Sequence, residues 1–273
     1  MTNFIKYPRT PHLRGSKLQE GDHDLEQVDV TNLSSGGTLV WEEKIDGANA
    51  AFSFTSHGAP QLQSRGHILQ GGAREGQFSL FKAWVETHQA AFRQAITIRY
   101  IVFGEWCFAK HTVFYDRLPH YFLEFDIFDR ETGNFLSTPA RRRLLEGLPI
   151  VPVPVVHIGA PPSKETIRGA SKIQALIKPS LYKSQGWRSA LDAAATGSRQ
   201  DPARVRRETD DSDLAEGLYL KHEDGDHVIG RYKFVRDGFL QAIASSGTHW
   251  QDRPVIPNDL APGVDLFATS LSL

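Results

Sequence analysis

The sequence predicts an α+β fold built on antiparallel strands, and three observations carry that expectation. Short runs with the two-residue alternation of strands recur along the chain, an Asp-Gly turn joins two of them near the C-terminal end, and helical periodicity is confined to a few separate stretches. The chain has 273 residues, 40% of them hydrophobic, with 31 Lys+Arg against 32 Asp+Glu. A chain of this size buries most of its apolar surface without staples.

Taken in order, residues 1–30 are polar and turn-rich, with Pro8, Pro11, Gly15 and Gly21 as punctuation. Thr38 to Phe54 reads strand, turn, strand, with Asp46-Gly47 breaking the run. Phe78, Phe81, Val85 and Phe92 lie near helical spacing and predict a helix to about Ala95. Arg99–Trp106 and His120–Phe128 read as strands, with Tyr121, Leu123, Phe125 and Ile127 alternating onto one face. Pro139 to Gly147 is a short basic helix on which Arg141, Arg142 and Arg143 are expected to face solvent. The prolines between Ile150 and Ile158 keep that run out of a sheet centre, because each removes a ladder donor.

Ser163 to about Thr196 predicts two helices broken near Pro179, and the charged stretch Gly197–Asp213 a solvated loop. Glu216–His222 and His227–Val235 flank Glu223-Asp224-Gly225-Asp226, whose Asp-Gly pair supplies the positive φ of a tight hairpin. That turn also accounts for the His222–His227 cluster without a metal. A short helix at Gly238–Ser245 and a Pro-rich tail follow. The expected organisation is one domain over residues 1–245, with a helical and charged insertion at 159–213, and a short tail at 246–273.

Composition excludes several classes. No stretch approaches the roughly 20 apolar residues of a membrane span, and the N-terminus lacks a signal-peptide core. The single cysteine, Cys107, excludes an internal disulfide framework and a multi-thiolate zinc site, and is expected as a small buried residue. A reducing, cytoplasmic compartment is the expectation. With a net charge of -1, any grip on nucleic acid must come from a local positive groove.

The residues that can carry chemistry begin with Lys44-Ile45-Asp46-Gly47. A lysine amine attacks only when neutral, so catalysis requires a pKa lowered by burial or by nearby cations. Downstream, in order, come Ser64-Arg65-Gly66, Phe103-Gly104-Glu105-Trp106, Phe125-Asp126, Glu216-Gly217-Leu218-Tyr219-Leu220-Lys221 and Arg231-Tyr232-Lys233. Arg231 and Lys233 share a strand face, so both can point at one phosphate. Glu216 and Lys221 differ by five, so they serve one site only if Glu216 lies ahead of the strand or a bulge intervenes.

This ordered set resembles the covalent nucleotidyltransferase superfamily of ATP-dependent ligases and capping enzymes, and within it the RNA ligase family of the phage-type RNA ligase 2 kind. Glu43-Lys44-Ile45-Asp46-Gly47-Ala48-Asn49 is similar to that family's Glu-Lys-x-His/Asp-Gly-x-Asn element, and Glu216 to Lys221 to its Glu-Gly-x-x-x-Lys element. Asp46 stands where the family often has histidine, and Arg231 where it usually has lysine. The resemblance implies an antiparallel-sheet nucleotidyltransferase (adenylyltransferase) domain of the ATP-grasp-like ligase type, with flanking helices.

The resemblance also implies roles. Lys44 is the nucleophile toward the α-phosphate of ATP, held neutral by the positive field of Lys221 and Lys233, which contact that phosphate. Arg65 reaches the ribose or the incoming phosphate, Glu105 a ribose hydroxyl, and Phe125 stacks on adenine. Glu216 serves the metal, Mg2+ or Mn2+. Glu43, Asp46, Gly47, Asn49 and Arg231 complete the nucleotide site. The N-terminal cations Arg9 and Arg14, with Lys6, His12 and Lys17, are candidates to clamp a phosphate end.

The expected function is ATP-dependent RNA ligation through lysyl-AMP, each step being phosphoryl transfer, with RNA repair as its setting. Nicked duplex RNA, broken tRNA or DNA is the polynucleotide. The alternatives are a GTP-dependent capping-type guanylyltransferase and a non-catalytic nucleotide- or nucleic-acid-binding relative. Only 37 residues follow Arg236, too few for a full appended domain, so the expectation is that a repair-protein partner or the 159–213 insertion supplies substrate grip, or that sealing is poor without one.

Overall fold

Alternation along Thr38–Lys44 sends Leu39 and Trp41 to one side and Val40, Glu42 and Lys44 to the other, and this split organises the architecture. A computed structural model describes residues 4–18, 26–33, 36–159, 170–239 and 254–270. The N-terminal part supplies β1 (His12–Leu13), β2 (Gln27–Val28), β3 (Thr38–Lys44), β4 (Ala48–Phe54) and β5 (Pro60–Ser64). Two helices follow, α1 (Ser79–Thr87) and α2 (Gln89–Ile96), then β6 (Tyr100–Trp106), β7 (Phe122–Asp129) and β8 (Asn134–Leu136). Next come α3 (Thr138–Leu145), β9 (Val151–Pro152) and β10 (Val155–Gly159). Three helices, α4 (Ala170–Leu176), α5 (Trp187–Gly197) and α6 (Pro202–Arg207), precede the hairpin of β11 (Gly217–Asp224) and β12 (His227–Val235).

The main path of the sheet runs β10-β3-β11-β12-β8-β7-β6-β4-β5, and all its pairings are antiparallel. β1, β2 and β9 attach off that path through parallel pairings. The sheet curls so that its two halves face one another, since Lys221 of β11 and Arg231 of β12 both reach Asp126 of β7. β3 and β4 are therefore not a hairpin. β3 pairs with β10 and β11, β4 with β5 and β6, and the three residues Ile45–Gly47 carry the chain from one half to the other. Short-range pattern shows a break at Asp46-Gly47 but not which strands pair across it.

Two cores hold the halves. Phe52, Trp84, Phe92, Phe122 and Ile127 pack where α1 and α2 cover β4, β6 and β7. Leu39, Trp41, Leu218 and Phe234 pack behind the other half with Ile173 and Ile177. Residues 254–270 run over the irregular connection 107–121, where Lys110 N–H donates to the Ile256 carbonyl (2.8 Å) and Ala261 N–H to that of Leu118 (2.8 Å).

Several expectations are corrected. The helix predicted from Phe78 is two helices parted at His88. α4 ends at Leu176 and α5 starts at Trp187, so the break around Pro179 is wider than expected, and residues 163–169 lie outside the described residues. The charged stretch 197–213 contains α6 rather than being all loop. Asp201 caps it by accepting from the Ala203 and Arg204 N–H groups, Pro202 opens it, and Val205 is buried. Arg141 does not face solvent, being 2% exposed and ion-paired to Glu42 (2.5 Å) and Glu124 (2.7 Å). The prolines do hold β10 at the sheet edge, and Gly225 turns the hairpin at φ 56°. The helix expected at 238–245 falls almost wholly outside the described residues.

Candidate active site

Lys44 ends β3 at the crossover between the two halves. Its Nζ lies 2.7 Å from Oε1 of Glu216, which is almost fully buried. Glu216 sits just ahead of β11, whose first residue, Gly217, is in register with Lys44. This settles the five-residue spacing: Glu216 escapes strict alternation because it precedes the strand. A side chain at Gly217 would drive its Cβ into the Phe234 carbonyl oxygen, so only glycine lets the hairpin close here.

Glu105 of β6 stands opposite Asn49 of β4, and its Oε1 accepts from the Gly47 N–H (3.2 Å). A Cβ on Gly47 would meet the Trp106 carbonyl at 2.9 Å and Cys107 Sγ at 3.1 Å, so the crossover hugs β6. Cys107 is fully buried, as expected of a small packing residue. Asp46 Oδ2 accepts from the Thr112 and Val113 N–H groups (2.7 and 2.6 Å).

The electrostatics reverse one expectation. Burial alone would strip the Lys44 proton, but the carboxylates of Glu216, Glu105 and Asp46 outweigh it and hold the ammonium above its ordinary range. Carboxylates, not the cations Lys221 and Lys233, dominate the field at Lys44. Burial pushes Glu216 up to about 7 against the pull of Lys44, and Glu105 up to about 8. The free site is a lysine in an excess of acid.

Lys221 is also relocated. It is fully buried, paired to Glu42 (2.8 Å) and Asp126 (3.1 Å), and donates to the Phe125 carbonyl. Glu42, Glu124 and Asp126 thereby meet Lys221, Arg141 and Arg231 in a balanced buried network. Arg231 shares the inward face with Lys233 but lays its guanidinium over the Phe135 ring (3.8 Å to the centroid) and toward Asp126 (3.4 Å). Arg231 is thus directed to Asp126. Lys233 pulls down the Glu216 pKa, which places it in the field of the Lys44 pair.

Phe125 is the extra residue of a bulge, because Phe103 pairs with Asp126 while Gly104 pairs with Glu124. The bulge breaks the alternation with Tyr121, Leu123 and Ile127, leaving the half-buried ring edge-on to Tyr7 at 5.2 Å. Tyr7 itself donates to Asp126 (2.6 Å) and meets the Tyr219 hydroxyl (2.5 Å). Glu43 points to the opposite face of β3, where burial raises it to about 7 against hydrogen bonds from Ser180 and the Leu181 N–H.

Arg65 is exposed just past β5 and makes no hydrogen bond or ion pair among the described residues. Of the N-terminal cations, Arg14 pairs with Asp29 (3.1 Å) beside a groove of about 880 Å³, Lys17 pairs with Asp237 (3.2 Å), and His12 is buried against Ser16. Lys6 and Arg9 remain exposed. Sequence reasoning missed Tyr7, Glu42, Tyr115 and Arg141. The shared face of Glu42 and Lys44 was a readable signal; contacts made only by tertiary folding left none.

A sequence model described as RNA ligase matches residues 37–235. The chain belongs to the RNA ligase family. Among solved structures, a Naegleria gruberi RNA ligase point variant with ATP and Mn superposes with a TM-score of 0.54 at 16% identity, covering 90% of this chain and 60% of that one. A second such variant, also with ATP and Mn, gives 0.51 at 17% identity, covering 77% and 52%. The same ligase with PPi gives 0.51 at 15%, covering 88% and 63%. The chain thus spans less than two thirds of the length of these ligases, and the likeness is one of fold. A search of curated proteins found no match. Among the described residues no helix is long and apolar enough to cross a membrane.

Proposed function

We propose that this RNA ligase family member joins RNA ends at the expense of ATP through AMP bonded to Lys44. The observation that carries the reading is the Lys44–Glu216 pair, 2.7 Å long, at the crossover between the two halves. Lys44 Nζ attacks the α-phosphorus of ATP, forming an N–P bond as the bond to the β-phosphate oxygen breaks and pyrophosphate departs. The attacking amine must shed a proton. The Glu216 contact holds the amine in place, and its proton leaves to solvent before the attack. AMP then passes to a 5′-phosphate, and a 3′-hydroxyl displaces it to seal the strand.

Glu105 is assigned to a ribose hydroxyl, Phe125 to the adenine face, Asn49 and Arg65 to the ribose and the incoming phosphate, and Lys233 to the α-phosphate. Asp46 and Gly47 shape the crossover beneath the nucleotide. Glu43, Lys221 and Arg231 support this site from behind rather than touching the nucleotide.

The acid excess suits a divalent cation, Mg2+ or Mn2+. Glu216 Oε2 is buried without a hydrogen-bond partner, and hard oxygen donors are what these ions take. Glu216 would hold it through Oε2, and when bound it supplies neutralisation of phosphate charge. The ATP and Mn named for the Naegleria structures support the same assignment.

RNA, as nicked duplex or broken tRNA, is the proposed polynucleotide, and cytoplasmic RNA repair the role. The test is incubation with labelled ATP or labelled GTP and magnesium, followed by denaturing electrophoresis. Covalent label from ATP that vanishes in Lys44→Ala is the expected result. Label from GTP alone would point to a capping-type enzyme, and no covalent label to a non-catalytic relative.

A further inference from the structure

Lys44 leaves β3 directly into the crossover, so its position depends on what fixes that crossover. Asp46 is held three ways: its carboxylate accepts from the Thr112 and Val113 N–H groups (2.7 and 2.6 Å), and its own N–H donates to the Tyr115 hydroxyl (2.9 Å). All three partners lie on the irregular connection 107–121, whose own backbone lacks a strand or helix to stiffen it. Asn258 supplies the stiffness. It is fully buried, its Oδ1 accepts from the Tyr115 N–H (2.9 Å) and its Nδ2 donates to the Cys107 carbonyl (2.8 Å).

The geometry points to Asn258 and Tyr115 as positioning residues for the Lys44 amine, linked to it through Asp46. This inference rests on the lysyl-AMP reading. Only a carboxamide can accept from Tyr115 and donate to Cys107 at once; a carboxylate would set a second oxygen against the Cys107 carbonyl. Displacements of about 1 Å far from the reacting atoms can cost on the order of a hundredfold in rate. Loss of this fastening therefore acts on the chemical step, not on nucleotide affinity, since neither residue is assigned to ATP.

The test uses the full chain carrying Tyr115→Phe, Asn258→Asp, both together, or Leu266→Ala. Leu266 is 8% exposed and its side chain makes none of the hydrogen bonds to Asp46, Tyr115 or Asn258, so the last variant weakens packing in the same cluster while leaving those bonds in place. Lysine adenylylation is followed in single turnover across ATP concentrations, alongside thermal melting. The expected result is a fall of about tenfold at saturating ATP in Tyr115→Phe and Asn258→Asp, with half-saturating ATP within about twofold of wild type. The double variant should be no slower than the slower single, because both act along one chain of contacts. Leu266→Ala should melt earlier yet adenylylate normally well below its midpoint.

Unchanged rates in Tyr115→Phe and Asn258→Asp, or losses that track melting temperature in all variants alike, overturn the proposal. If wild type forms the covalent adenylate and those variants match it, the failure is of this inference alone. Absence of adenylate in wild type overturns both this inference and the reading beneath it.

Discussion

Replacing Lys221 with Met removes one of three cations that balance Glu42, Glu124 and Asp126 in the interior. The methionine fills much of the same volume, so the loss is electrostatic. Deleting one partner of a buried pair leaves an uncompensated charge and costs about 3–5 kcal/mol. At about 2–4 °C per kcal/mol for a chain of this class, the midpoint should fall by roughly 6–20 °C. Glu42→Gln together with Lys221→Met removes both charges and should recover most of that loss. The assay pairs thermal or urea unfolding with the rate of lysine adenylylation measured well below the midpoint. A structural Lys221 predicts adenylylation that follows the folded fraction and returns in the double variant. A melting point unchanged in Lys221→Met, with adenylylation lost and not rescued, would refute the burial argument and restore Lys221 to the phosphate.

The remaining expectations concern the site and its surroundings. Adenylylation at saturating ATP should climb with pH from about 7 to 9, roughly tenfold per unit, because acid neighbours keep Lys44 protonated, and in Glu216→Gln the climb should level off at lower pH. Because burial lifts Glu105 to about 8 and Glu216 and Glu43 to about 7, the folded chain binds more protons than the unfolded one above their unfolded pKa. Stability is fully present below the unfolded carboxylate range and is lost progressively as pH rises from there through these values, so melting temperature should drop between about pH 5 and 8, and Mg2+ should blunt the drop. Gly47→Ala should cost about 1–3 kcal/mol in unfolding experiments, since its Cβ meets the Trp106 carbonyl at 2.9 Å. Arg14→Gln should leave sealing of 5′-phosphorylated nicked RNA unchanged, because Asp29 already occupies that cation, whereas Arg65→Gln should slow it.

The hairpin, the edge position of the proline-rich run and the strands around Trp106 and Phe128 were legible because each depends on neighbours in sequence. The pairing of β3 was not. Local alternation fixes which face Lys44 occupies but is silent on whether β4 or β11 lies alongside. The acid, lysine and aromatic types of the candidate site were readable as ordered elements, yet their assignment to one pocket overreached. Lys221 and Arg231 carry the charge a phosphate needs, and the same charge equally suits the buried acids Glu42 and Asp126. Arg141 in its basic run gave no hint of burial, because the acids that claim it lie 17 and 99 positions away. Phe125 escaped its predicted face through a bulge that no two-residue period can signal.

The crossover at Ile45–Gly47 has a mechanical consequence. The facing walls of the sheet are joined covalently by three residues immediately after the amine, and again by the β12–β8–β7 ladder, with side chains such as Arg231 and Asp126 meeting between them. Lys44 is therefore anchored from both directions along the chain, by the β3–β11 ladder before it and, after it, by the bonds that tie Asp46 and Gly47 to the connection 107–121 and to β6.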